Sequence, residues 1–127
     1  MNYIDALRQA TSRLPAITAG DETEVQAAIR LACLAFEPPS ENREWHLLGF
    51  DLLTVLAELY PDPAPITLAV TTPAAADART RAGVARLSLA LADVLRAGSG
   101  RADLPVRRRL DLAAAGNRLY DAARALT

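Results

Sequence analysis

The chain has no lysine, and histidine, cysteine, methionine and tryptophan each occur only once in its 127 residues. A lone cysteine excludes an internal disulfide and a cysteine-based zinc site. Aromatic residues make up 5 % of the chain and hydrophobic residues 51 %. The core must therefore be built from Leu, Ala, Val and Ile, the side chains of packed helices. No uninterrupted apolar run approaches the roughly 18 residues a membrane span needs. No basic segment followed by an apolar run opens the chain, as a secretory signal would require. The expectation is a reduced, cytoplasmic protein with no membrane partner.

Arginine supplies all 14 basic residues, and with the abundant alanine this points to a GC-rich bacterial genome. The net charge of −1 hides an asymmetry: residues 1–64 hold four arginines against ten acids, and residues 65–127 hold ten arginines against five. The two halves are complementary, within one chain or between two. Overall neutrality argues against a dedicated nucleic-acid binder, which normally carries a basic excess. A helix-turn-helix DNA-binding role therefore ranks last, and no nucleic-acid partner is expected.

Capping and breaking residues mark five helical segments. Asn2 with Asp5 opens a short helix ending near Arg13, before Pro15. Asp21 and Glu24 have N-cap and N3 spacing, which predicts a helix over 22–36. Pro38 and Pro39 stop it, because proline disfavours helical geometry in the residue before it. Ser40 is the expected cap of the third helix, with Glu41 and Glu44 set favourably against its dipole, and Pro61 ends it at Tyr60. The connector over 61–72 is punctuated by proline. Its second half, Ile66–Thr72, has β-type composition and reads as an extended segment across the helices, or as a short edge strand. Thr72 followed by Pro73 is a helix-start signal, so the fourth helix is predicted to run from there to about Ala97, before Gly98-Ser99-Gly100. Asp103 and Pro105 announce the fifth.

Helical spacing then assigns faces. In the third helix Trp45, Leu48, Leu52, Val55, Leu56 and Leu59 form one apolar stripe, beside a second of Phe50, Leu53, Ala57 and Tyr60. The second helix is apolar at Val25, Ala28, Ile29, Ala32 and Phe36, with Leu31 and Leu34 behind. Two such greasy helices should be central, or should meet a partner. The fourth and fifth helices read as one-sided, with seams at Val84, Leu87, Leu91 and Val94 and at Val106, Leu110, Ala113 and Tyr120.

Residues 48–53, Leu-Gly-Phe-Asp-Leu-Leu, are close to the Leu-Gly-x-Asp-Ser-Leu signature of phosphopantetheine carrier proteins. Carrier chemistry needs the serine oxygen as its attachment point, and Leu52 stands there instead. Leu52 falls on the apolar stripe, so this is a core helix and the chain is assigned to no family. His46, at the edge of that helix's apolar face, and Cys33 are the only soft metal-ligand candidates. Without a second histidine, no metal site and no cofactor are expected, and no catalytic residue can be named.

Two charged patterns stand out. Glu44, Asp51 and Glu58 form an acidic stripe at heptad spacing, and Arg79 and Arg86 lie seven apart on the fourth helix. They are solvated faces, or cross-helix or cross-subunit pairs that set register. Arg109 projects into the apolar arc of the fifth helix, where an arginine must reach out to solvent or meet an acceptor. A small-molecule site with Arg109, Asn117 and Tyr120 as polar handles, and His46 nearby, is one candidate. Gly49, Gly83 and Gly116 each cost about 1 kcal/mol inside a helix, which close helix–helix approach can offset.

The sequence therefore predicts an all-α fold over 1–127 as a single domain. Its architecture is an antiparallel bundle of four principal helices with a short N-terminal one. The leading functional expectation is a non-catalytic interaction or regulatory module that binds a protein partner or itself, as a homodimer, through Leu31, Leu34, Leu47 and Leu89. The alternative is a small-molecule-binding protein or small biosynthetic enzyme with its pocket among helices three to five.

Overall fold

In a computed structural model, the described residues are 1–17, 22–62 and 64–127. They are 71 % helical and contain no strand. Five α-helices follow one another: α1 (Tyr3–Arg13), α2 (Glu22–Cys33), α3 (Arg43–Leu59), α4 (Ala78–Ser99) and α5 (Val106–Arg124), with single 3₁₀ turns at Leu14–Ala16 and Leu34–Phe36. The arrangement is an all-α bundle with a short N-terminal helix.

Local chemistry sets the helix ends. The side chain of Asn2 accepts from the Asp5 amide at 2.8 Å, satisfying one of the free N–H groups of the first turn. Asp21, the expected cap of α2, lies outside the described residues. The cap of α3 is Asn42, which accepts from the Trp45 amide at 3.0 Å. Ser40 lies two residues upstream, where its hydroxyl accepts from the Asn42 amide. Helix α4 starts at Ala78, with Asp77 accepting from the Thr80 amide at 2.8 Å, five residues later than Thr72-Pro73 suggested. Geometry supplies the reason, because the chain from α3 has to cross to the start of α4. Extended residues advance about 3.3 Å each, against about 1.5 Å in a helix. Gly98 and Ser99 continue α4, and Gly100 ends it.

The connector keeps its expected extended character without becoming a strand. Ile66, Leu68 and Val70 are half-buried while Pro65, Thr67, Ala69 and Thr71 are exposed, the two-residue alternation of extended chain. The Thr71 amide donates to the Met1 carbonyl at 3.2 Å, which ties this strap to the entry of α1.

One buried cluster draws on all five helices. Of the expected core residues, Trp45, Leu48, Leu52, Val55, Val84, Leu87 and Leu91 are buried, while Leu56 is half-buried against the cluster. The central element is α4 rather than α2 or α3. It packs against α1, α2 and α5 and buries residues on several sides, among them Gly83, Ala85, Ser88, Ala92 and Gly98. Small side chains there admit neighbours from more than one direction. The seam of α5 is also different: Leu112, Ala115, Gly116, Leu119 and Ala123 are buried, whereas Val106 and Leu110 are 69 % and 62 % exposed. Gly116 decides between the two seams. A Cβ there would lie 2.9 Å from Arg96 Cγ and 3.1 Å from the Ala92 carbonyl oxygen, so α5 presses its glycine directly onto the α4 backbone.

Candidate functional site

The outward face of α3 exposes three large apolar side chains. Leu47, Phe50 and Leu53 are 50 %, 67 % and 58 % exposed, and Ala57 on the next turn is exposed as well. The cause is the double apolar stripe in this helix. The bundle covers the arc of Trp45, Leu48, Leu52, Val55 and Leu59, and of the second arc it buries Tyr60 but leaves Phe50, Leu53 and Ala57 in solvent. Beside it lies an open depression of about 490 Å³ lined by Arg30, Leu53, Leu56, Ala57, Tyr60 and Pro61. The patch thus has a projecting ring, Phe50, next to an apolar hollow.

Polar groups border this face. Arg118 of α5 lies 3.9 Å from an Asp51 carboxylate oxygen and 3.6 Å from one of Glu58. Two members of the acidic stripe therefore pair across helices, with Arg118 in place of Arg79 or Arg86. Burial raises the Asp51 carboxyl above its ordinary value, and the charge of Arg118 opposes that shift. At the lower end of α3, Arg108 donates to the Leu59 carbonyl at 2.8 Å, forms an ion pair with Glu22 at 3.2 Å and sits 5.3 Å from the Tyr60 ring centroid.

The four leucines expected at an interface fall in different environments. Leu31 is buried at 6 % exposure, Leu34 and Leu89 are half-buried against the core, and Leu47 alone is strongly exposed. Sequence reasoning listed Phe50, Leu53 and Ala57 as a second stripe without naming them as interface. Their signal was the width of the apolar arc, which one set of neighbours cannot cover.

The expected ligand handles gather along the α4–α5 seam. Arg109 donates through Nε to the Ser99 carbonyl at 2.9 Å, satisfying one of the carbonyls left free at the end of α4. Asn117 accepts from Arg96 Nε at 3.1 Å, and the Arg96 guanidinium lies 4.3 Å from the Tyr120 ring centroid. Arg96, which sequence reasoning did not single out, is the hub of this group. His46 is exposed, its Nε2 bonded to the Ser40 carbonyl in the turn before α3. Among the described residues, no three His, Cys, Asp or Glu side chains are grouped to hold a metal ion, and no helix is long and apolar enough to cross a membrane.

A separate apolar cleft of about 400 Å³ opens between α1, α2 and the strap, lined by Ala6, Ala10, Leu14, Ala28, Leu31 and Val70 among others. The Arg13–Glu24 ion pair, at 3.2 Å, also lines it. No protein family, curated protein or solved structure matches this chain, so functional assignment rests on this geometry.

Proposed function

We propose that the protein is a non-catalytic helical interaction module that pairs with a second copy of itself through the outer face of α3, in a reducing cytoplasm where a lone cysteine needs no partner. The observation carrying this reading is the exposed run of Leu47, Phe50 and Leu53 beside the Leu53–Ala57–Tyr60 hollow. Large apolar side chains clustered in solvent are the usual mark of a docking surface. The spacing suits a twofold arrangement. With two α3 helices antiparallel and the axis near Leu53, Phe50 of each copy faces the hollow around Ala57 of the other. A contact between i and j is then repeated between j and i, as an isologous interface requires.

Sedimentation equilibrium of the wild type and of Phe50→Glu and Leu53→Glu tests the proposal. A dimer is expected for the wild type and a folded monomer for both variants. A wild-type monomer at high micromolar concentration overturns self-association. A second reading, a small apolar ligand in the α1–α2–strap cleft, is favoured by a volume within the usual range of ligand pockets, about 300–1,000 Å³. Native mass spectrometry separates the two, since a retained small molecule on a monomer supports the cleft.

A further inference from the structure

The charge pattern where α1 crosses α4 has a different character. Across most of the surface, arginine meets acid: Arg13 with Glu24, Arg101 with Asp103, Arg107 with Asp111, Arg108 with Glu22, and Arg118 with Asp51 and Glu58. Where α1 crosses α4 this rule breaks. Arg8, Arg79 and Arg86 line one cleft of about 130 Å³ together with Ile4, Leu7, Thr11, Ser12 and Gly83, and among the described residues no carboxylate lines it. Arg8 has only an exposed, 3.6 Å contact with Asp5 outside the cleft. Arg79 adds only a minor pull on the helix cap Asp77.

The helix crossing builds this arrangement. Gly83 stands between Arg79 and Arg86 on one stripe of α4, and a Cβ there would reach 3.0 Å from Leu7 Cδ1. The missing side chain brings α1 close and leaves a recess flanked by the two arginines, with Arg8 entering from the facing helix. Thr11 and Ser12 spend their hydroxyl hydrogens on the Leu7 and Arg8 carbonyls, at 2.7 and 3.0 Å. The side-chain donors that remain at the cleft are therefore the guanidinium forks, of which that of Arg8 also contacts Asp5 at 3.6 Å. Three like charges around one recess repel each other unless an anion lies between them. Guanidinium forks fit the oxygens of phosphate or carboxylate in pairs.

We infer that the Arg8–Arg79–Arg86 cleft is a binding site for a phosphate dianion, free or as the terminal group of a small phosphomonoester. The recess admits one phosphoryl group and little more, and three cations favour a dianion over the singly charged diester of a nucleic acid. This site is independent of the α3 face and stands or falls separately from self-association.

Isothermal titration of the full chain with sodium phosphate, against sodium chloride at matched ionic strength, provides the test. Two-dimensional NMR locates the site through the amides of Thr11, Ser12 and Gly83. Phosphate is expected to bind saturably where chloride does not. Arg86→Gln should weaken binding about tenfold, the size of one charge-assisted hydrogen bond, and Arg79→Gln/Arg86→Gln should abolish it. Arg107→Gln removes the same charge from an ion pair on α5 and should leave binding unchanged. Titration with glycerol 3-phosphate distinguishes the sources: tighter binding than phosphate assigns a monoester, and equal binding assigns the free ion. A phosphate response equal to that of chloride overturns the site, as does an unaltered response in the folded double variant.

Discussion

The ring of Phe36 rests directly on the backbone of Gly49: a Cβ at that glycine would stand 2.5 Å from Phe36 Cδ1. The same ring stacks on Trp45 at a centroid distance of 4.0 Å, so the 3₁₀ turn that follows α2 and the first turns of α3 are locked through three residues. Gly49→Ala gains about 1 kcal/mol of helix propensity but forces the stacked pair apart, and overpacking of this kind costs about 1–3 kcal/mol. The expected net effect is destabilisation in urea unfolding, relieved in the Gly49→Ala/Phe36→Leu double variant. An alanine variant as stable as wild type would show that the ring moves freely.

Adjacent leucines on α3 should behave oppositely. Leu52 is 0 % exposed and Leu53 is 58 % exposed. Leu52→Ala is expected to cost roughly 2–5 kcal/mol, as large-to-small core changes do, whereas Leu53→Ala should stay within about 0.5 kcal/mol of the wild type when measured at concentrations where the protein is monomeric. Comparable losses at both sites would mean that the faces of α3 are misassigned.

Tyr3 closes the end of α2 from a distance in sequence. Its buried hydroxyl donates to the Leu31 carbonyl at 2.5 Å and lies 3.2 Å from that of Ala32. Tyr3→Phe keeps the ring and removes the donor, so the loss should be about 1–2 kcal/mol. The check is the shift in unfolding free energy at unchanged denaturant slope. No shift would mean that water replaces the hydroxyl.

Stability should fall at alkaline pH. Burial pushes the Cys33 thiol from 9.0 up to about 11. It pushes the Tyr60 phenol from 10.0 up to about 12, with Arg108 opposing the rise. Between those limits the folded chain holds more protons than the unfolded one, so unfolding free energy decreases as pH rises. The stabilisation is complete below about pH 9 and is lost progressively towards about pH 12. Urea midpoints measured across that range should decline, less steeply in Tyr60→Phe. Midpoints independent of pH there would contradict the burial of both groups.

How much of this was legible in the sequence depended on whether a signal had rivals. Asn2 had none nearby and was found as a cap. Ser40 and Asn42 are both good caps two residues apart, and Thr72 and Asp77 compete in the same way, so local chemistry alone chose wrongly in each case. The buried stripe of α3 was legible because Trp45, Leu48, Leu52 and Val55 leave no alternative. In α5, two apolar rows existed, and only the close approach at Gly116 selects Leu112 and Leu119 over Val106 and Leu110. The exposed α3 face is visible as excess apolar circumference, although the sequence offers Leu31, Leu34 and Leu89 on other elements as interface residues beside Leu47, and not Phe50 and Leu53. The arginine cleft could not be read from sequence, because it forms only when Arg8 on α1 meets Arg79 and Arg86 across Gly83.

The strap over Ile66–Val70 also has a consequence for how the chain avoids aggregation. Apart from the helices, it is a part of the molecule suited to strand formation: uncharged, and β-branched at three of its positions, Ile66, Thr67 and Val70. In a partly unfolded chain such a segment is a template on which other copies add as strands. Pro65 abuts it on one side and Pro73 follows shortly on the other, and neither can donate a ladder hydrogen bond. They limit any intermolecular sheet to a few rungs. The prolines that look like mere punctuation between α3 and α4 thus act as gatekeepers, protecting the chain in the moments when its helices are not there to cover Ile66, Leu68 and Val70.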